Sequence, residues 1–347
     1  MHFAEKSLQM LCVDVIIAVH YSKQQKTLNL GLFMSSYIPF DQVKNIAVLG
    51  TGVIGSSWAS YFLAHGYSVS AWDPGKGWEG RLHAFIDTAW PQLKSMGLAP
   101  NASKGALTLY KSPEEAVKNV DFVQESAPER KEIKQELFAK MDHAIPEYAI
   151  FSSSTSGLIL SDLVSNIDTA HRFIVGHPFN PPHLIPLVEV VAGQKTDTAV
   201  TEWAMGFYKH IGKHSILIKK EVRGHLANRL QAALWREATL ALVNGLASIE
   251  DINAAISKGP GLRLAVMGPH MIFNLTGGKG GFQHFYNQFG PAMEAWWKTM
   301  QGEPELTQEL CDAIIAGLKD EAGSRTIDDL EAERDTKLLN VLKALKS

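Results

Sequence analysis

Cysteine is scarce: Cys12 and Cys311 are the only two in 347 residues, far apart and without metal-ligand spacing. That argues against a disulfide framework and against a thiolate metal site, so no metal is expected and a reducing cytoplasm is the expected location. Positive charge is not in excess either. Thirty-three Lys and Arg against 36 Asp and Glu give a net charge of −3, with no clustered basic face, which leaves no electrostatic case for nucleic acid. Long apolar runs are missing as well. Leu11 to Val19 is apolar but short, is interrupted by Asp14, and lacks a small-residue cleavage site before Tyr21-Ser22-Lys23. It can neither span a bilayer nor read well as a secretory signal, so no membrane association is expected.

What remains is ordinary for a globular protein, with 46% apolar and 20% charged residues. The length suits one large domain with a smaller one, or two comparable ones. Sequence typical of a folded domain begins after Met34, at Ser35-Ser36-Tyr37. Residues 1–33 read as an upstream extension, poorly ordered or an artefact of start-site choice.

Asn45-Ile46-Ala47-Val48-Leu49 is a short apolar run ending at a glycine, the pattern of a buried strand. A helical stretch over 53–65 follows, then a second strand at Ser68–Trp72. Further strands are expected at Leu107–Leu109, Phe122–Gln124, Ile150–Ser152, Arg172–His177 and Leu187–Val191, with helical stretches between most of them, notably Arg130–Ala144. Alternating strands and helices imply a parallel sheet covered on both faces. Beyond Glu221-Val222-Arg223-Gly224 the pattern changes. Leu226, Leu230, Ala233, Leu234, Ala238 and Leu242 recur at helical spacing, and Gly-rich joints separate further helices. The expected architecture is a Rossmann-type, doubly wound, mostly parallel sheet over residues 40–220, followed by an all-helical C-terminal domain over 221–347.

Gly50-Thr51-Gly52-Val53-Ile54-Gly55 has the form G-x-G-x-x-G. The first glycine permits a tight turn, the second lets backbone approach a pyrophosphate, and the third lets the helix pack closely on the strand. Alone the pattern is weak in a chain with 28 glycines. Between a strand and a helix, with a second strand ending at Asp73 about 20 residues on, it is specific for a dinucleotide. The Asp73 carboxylate would accept from ribose hydroxyls and repel a 2′-phosphate, so NAD is expected over NADP. The alternative is a glycine turn that binds no nucleotide, with Asp73 as a solvated strand end.

Three further segments occur in order: Ser153-Ser154-Thr155-Ser156-Gly157, then His177-Pro178-Phe179-Asn180-Pro181-Pro182 running to Leu187-Val188-Glu189-Val190, then Gly224-His225-Leu226-Ala227-Asn228-Arg229-Leu230. With the glycine turn they resemble the 3-hydroxyacyl-CoA dehydrogenase family from about residue 44 to the C-terminus. The resemblance implies a Rossmann-type domain, a helical domain that dimerises, and a site with His177 as base, Glu189 orienting it, and Ser156 and Asn228 as polar partners. It places Glu129 and Lys134, in Glu129-Arg130-Lys131-Glu132-Ile133-Lys134, near the nicotinamide and its ribose. The residue types suit that chemistry. An imidazole with an unperturbed pKa of ~6.5 can take a hydroxyl proton at neutral pH while a carbonyl forms. A carboxylate on its other nitrogen fixes the tautomer, as in a hydrolase triad. Taken singly, His177 is one of 13 histidines in a Pro-rich loop, Ser156 belongs to a loop, and Asn228 reads as ordinary helix polarity. Glu189, inside an apolar run, needs a partner.

Within the family, Ser152–Leu158, Leu234–Ala238, Gln288–Ala292 and the tail Ala322–Ile327 with Arg334-Asp335 are most similar to a branch that oxidises a free, trimethylammonium-bearing hydroxy acid. The L-gulonate 3-dehydrogenases are a second small-substrate branch. Gly261-Leu262-Arg263-Leu264-Ala265-Val266-Met267-Gly268-Pro269 departs from the acyl-CoA enzymes, which generally lack an arginine there. Arg263 could grip a free carboxylate bidentately, or serve as surface charge or an internal ion pair. A quaternary ammonium would need aromatic faces. Trp235, Phe273, Phe282, Phe285, Tyr286, Phe289, Trp296 and Trp297 are available, though most such residues pack in a core or dimer interface. A non-enzymatic reading, a crystallin-like structural or NAD-sensing protein, is opposed by the intact Ser156, His177, Glu189 and Asn228 set.

Overall fold

The computed structural model describes residues 37–300 and 302–346, so the extension expected over 1–33 lies outside the described residues. The chain divides into two compact units, after Leu226.

The first unit runs β1 (Asn45–Leu49), α1 (Val53–Ala64), β2 (Ser68–Trp72), α2 (Trp78–Met96), β3 (Leu107–Leu109), α3 (Pro113–Val117), β4 (Phe122–Glu125), α4 (Lys131–Met141), β5 (Ile150–Ser153), α5 (Leu160–Leu163), β6 (Phe173–Pro178), β7 (Leu187–Ala192), α6 (Thr198–His210) and β8 (His214–Ile218). The sheet order is β3-β2-β1-β4-β5-β6-β7-β8. All pairings are parallel except β6 with β7. The strand order reverses between β1 and β4, the switch point at which such sheets bind ligands beyond their carboxyl ends.

Side chains alternate across the sheet, so β1 serves two cores. Ile46 and Val48 pack with Trp58, Phe62, Phe122 and Phe207. Ala47 and Leu49 pack on the other face with Val123, Phe138, Phe151 and Phe173. Burying each such Phe contributes about 1.5–3 kcal/mol. A strand covered on both faces has no polar side, which is why these strands read as continuous apolar runs. Two expectations need adjusting. The helix expected over Arg130–Ala144 is shorter, at Lys131–Met141. The edge strand β8 was not foreseen, because its residues are only partly covered and it lacks a bounded, fully buried run.

Described by itself, the second unit is helical: α7 (Ala227–Val243), α8 (Ile249–Ser257), α9 (Pro260–Leu264), α10 (Pro269–Thr276), α11 (Gly281–Thr299), α12 (Gln308–Ala322) and α13 (Ile327–Lys346). Phe273 of α10 stacks on Phe285 of α11 at 4.8 Å between ring centroids. Of the eight aromatics singled out above, Phe285 is buried, whereas Trp235, Phe282, Tyr286, Phe289, Trp296 and Trp297 are exposed on the single chain.

Candidate active site

The glycine turn links β1 to α1. Gly50 has φ of 89°, and a Cβ there would lie 2.6 Å from the Ser126 backbone. A Cβ on Gly55 would lie 1.8 Å from the Gly50 carbonyl oxygen, so the helix sits directly on the turn. Gly52 is different: a Cβ there would meet nothing within 4 Å, so its backbone faces open space. Beside it the Thr51 Oγ1 is buried and has no partner among the described residues. An open backbone, a helix N-terminus and an unmatched hydroxyl suit a pyrophosphate. Asp73, at the end of β2, accepts the Thr51 N–H at Oδ2 and the Gly75 N–H at Oδ1, both at 2.7 Å. Its carboxylate therefore shapes the turn besides placing a negative charge beside it.

Across the switch point, the serine turn after β5 is organised by acids. Glu129 Oε1 accepts from Thr155 Oγ1 at 2.7 Å, the Ser156 N–H at 2.8 Å, the Gly157 N–H at 2.9 Å and Ser156 Oγ at 3.2 Å. Burial opposes the charge on Glu129, but the Thr155 hydroxyl, Lys134 and the two N–H groups outweigh it and hold the carboxyl below the ordinary glutamate range. Lys134 is fully buried. Its ammonium donates to Glu125 Oε1 at 2.6 Å and to the Ala127 carbonyl at 3.0 Å, with Glu129 Oε2 at 3.7 Å. Glu125, buried at the end of β4, also accepts from the Ser153 hydroxyl and the Ala127 N–H. Reading the sequence strand by strand missed Glu125, whose signal was a carboxylate ending a buried strand with a lysine at the start of the next helix.

His177 and Glu189 are register partners on the antiparallel pair β6 and β7. Cross-strand neighbours on one face are in side-chain contact, and here Nδ1 of His177 meets Glu189 Oε2 at 2.9 Å with both residues buried. A carboxylate only accepts, so Nδ1 carries the hydrogen and the neutral ring keeps a lone pair on Nε2. Glu189 Oε1 accepts the Leu226 N–H at 3.0 Å. The residue ahead of the imidazole is Gly176, where a Cβ would lie 2.0 Å from the Tyr208 hydroxyl and 2.5 Å from Ser152 Oγ. That hydroxyl donates to Gln124 Oε1 at 2.7 Å and pairs with Ser152 Oγ at 2.8 Å.

The loop from β6 to β7 is pinned from beneath. The ammonium of Lys213 donates to the carbonyls of Pro182 and Ile185 and lies 3.7 Å from the Tyr61 ring centroid. Burial pushes its pKa well down. His183 pairs through Nδ1 with Ser57 Oγ at 2.8 Å and through Nε2 with Gln92 Oε1 at 2.7 Å. Neither residue was legible beforehand, since their partners are distant in sequence.

In the second unit, Asn228 is the second residue of α7. Arg263 lies on α9, exposed, and its guanidinium has no hydrogen bond or ion pair among the described residues.

A switch-point sheet with a glycine turn and a buried histidine–carboxylate pair defines a Rossmann-type dehydrogenase. The chain belongs to the 3-hydroxyacyl-CoA dehydrogenase family: residues 45–222 match its NAD-binding domain and residues 224–323 its C-terminal domain. NAD is its cofactor, and it is an NAD-dependent 3-hydroxy acid dehydrogenase. It is 48% identical over 304 residues to an L-carnitine dehydrogenase of Streptomyces griseus, covering 88% of this chain and 90% of that one. It is 45% identical over 311 residues to an L-carnitine dehydrogenase of Pseudomonas putida, covering 89% and 97%. Among solved structures it is similar to the NAD⁺-dependent 5-formyl-3-hydroxy-2-methylpyridine 4-carboxylic acid 5-dehydrogenase, with TM-score 0.76 and 27% identity over 88% of this chain and 99% of that one.

Proposed function

We propose that the enzyme oxidises the 3-hydroxyl of L-carnitine to 3-dehydrocarnitine. The observation that carries this reading is the likeness to several L-carnitine dehydrogenases across nearly the whole chain. NAD⁺, when bound, supplies the hydride acceptor. Nε2 of His177 takes the hydroxyl proton as the C3–O bond becomes a carbonyl, and Glu189 holds the opposite N–H and stabilises the imidazolium. Ser156 and Asn228 hydrogen-bond the substrate oxygen, and Glu129 and Lys134 keep the cofactor side of the site in shape. The Gly50–Gly55 turn, through Gly50, Thr51, Gly52, Val53, Ile54 and Gly55, holds the pyrophosphate, and Asp73 the ribose.

Arg263 grips the substrate carboxylate, which a free acid has and a thioester lacks. Its unpaired guanidinium supports this role. The functional unit is a homodimer. Phe282, Tyr286, Phe289 and Trp296 recur on α11 at the spacing of one helix face and are exposed, and a patch of that kind marks an interface. No described helix is long and apolar enough to cross a membrane, and the scarcity of cysteine supports a cytoplasmic location. The deciding experiment follows NADH absorbance with L-carnitine, L-gulonate and 3-hydroxybutyryl-CoA in parallel. L-carnitine should give the highest kcat/KM, and a clear preference for the thioester would refute the substrate assignment.

A further inference from the structure

His225 lies outside the set that the sequence pointed to, and three observations single it out. Its φ of 46° is the positive value on a non-glycine residue among the described residues, following Gly224 at 75°. Side chains are uncommon in that left-handed region and tend to mark functional turns. The turn closes through the His225 N–H on the Val222 carbonyl at 3.1 Å, and the next N–H, that of Leu226, is the one bound to Glu189. Second, the buried ring lies 5.3 Å from the His177 ring, tilted by 51°.

Third, the ring is held in one tautomer with one nitrogen unmatched. Nε2 bonds the Thr155 carbonyl at 3.1 Å. A carbonyl only accepts, so Nε2 carries the hydrogen and the neutral ring has a bare lone pair at Nδ1. Nδ1 is buried and has no partner among the described residues. An unmatched buried acceptor is unfavourable in a resting protein, and this one stands beside a group that becomes cationic on turnover.

We propose that His225 is a positioning residue of the reaction centre: an uncharged imidazole that ties the serine turn to the His177–Glu189 pair and turns its Nδ1 acceptor toward the charge forming on His177. The inference rests on the reading of His177 as the base. The titratable groups facing His225 are His177 from β6, Glu189 from β7 and Glu129 from the segment before α4. Burial is the largest influence and lowers the His225 pKa. The Thr155 carbonyl and the two glutamates oppose it, the His177 ring adds to it, and the net direction is downward. The ring thus stays neutral while its neighbour takes up a proton. Through Thr155 it also bears on Ser156, the next residue, without touching substrate.

The test compares His225→Phe, which keeps a ring but has neither donor nor acceptor, with His225→Gln, whose amide offers both and cannot titrate. With L-carnitine and NAD⁺, His225→Phe should lose roughly 10-fold in kcat. The acid limb of its kcat/KM profile should move down by about half a pH unit, because the imidazolium of His177 loses an acceptor. KM for NAD⁺ should not move. His225→Gln should return kcat to within about threefold of the parent and restore the acid limb. A folded His225→Phe enzyme with unaltered kcat and acid limb overturns the inference. Where thermal melts show that His225→Phe does not fold, His225→Gln decides, and a loss of about 10-fold or more there also overturns it. His177→Gln, assayed alongside, separates the two layers. An active His177→Gln enzyme sinks the base reading and the inference with it, whereas an inactive one beside an unaltered His225→Phe sinks the inference alone.

Discussion

The two units solve the problem of burial differently. The first closes on itself: its sheet is covered on both faces, and its buried acids each have donors, Glu189 from His177 and Leu226, Glu125 from Lys134, Ser153 and Ala127. The second leaves large apolar side chains in water, with Trp296 and Trp297 61% and 63% exposed and Leu230, Leu234 and Trp235 exposed on α7. Apolar surface open to this extent in the single chain is of the kind that marks interfaces. On the function proposed above, the self-satisfied unit holds cofactor and base and the other supplies recognition and assembly.

The contrast is tested most severely at the base. His177→Gln should lower kcat by roughly 10²–10⁴-fold while leaving NAD⁺ affinity, measured by fluorescence titration, nearly unchanged. Normal turnover without the imidazole would break the assignment of chemistry to the first unit. In the second unit, Arg263→Met should lower kcat/KM for L-carnitine by about 10–150-fold, with Arg263→Lys recovering part of it, since a charge-assisted hydrogen bond is lost and an ammonium lacks the planar fork. Unchanged kinetics would move recognition elsewhere.

Trp296→Glu asks whether the exposed stripe on α11 is an interface. A buried Trp at the centre of an interface contributes about 2 kcal/mol or more, so the dimer dissociation constant should rise roughly 30-fold or more, read by sedimentation velocity. A parent chain that sediments as a monomer at all accessible concentrations would remove the explanation given for the patch. Asp73→Asn keeps one acceptor oxygen for the Thr51 N–H, gives up the bond from the Gly75 N–H and removes the charge, so the preference for NAD⁺ over NADP⁺ should narrow severalfold. Equal use of both cofactors by the parent enzyme would refute the role of that charge.

The smallest effect concerns acid. Glu129 is held below its ordinary pKa of 4.5, so the bonds it accepts stabilise the fold above that pH and are lost as pH falls through the lower folded value. The stability gap between parent and Glu129→Gln should therefore shrink below about pH 4.5 in denaturant titrations. A gap that stays constant to lower pH would show that the charge of Glu129 is not what holds the serine turn.

What was legible in the sequence follows the same divide. The glycine turn and the strand runs are local patterns, legible because a buried strand must be apolar and a pyrophosphate needs bare backbone. The histidine and glutamate of β6 and β7 are singled out only by the family resemblance, and the structure pairs them across the two strands. Lys213, His183 and His225 bond carbonyls and side chains distant along the chain, so nothing near them announces their burial. Helical periodicity in α7 located the helix, but it could not say that Leu230 and Leu234 face outward in one chain. A stripe that meets a core and a stripe left open in the single chain look identical in one dimension.

Gly176 has a consequence for the history of the enzyme. The space its missing side chain would fill is occupied by the Tyr208 hydroxyl and Ser152 Oγ. Even alanine at Gly176 would drive the phenol off Gln124 and shift the strand that carries His177. Three positions remote in sequence are thus bound into one heritable choice, glycine here with a large ring and a serine hydroxyl there. Among descendants of this chain a side chain at 176 has room only after the ring has shrunk and the serine hydroxyl has moved aside.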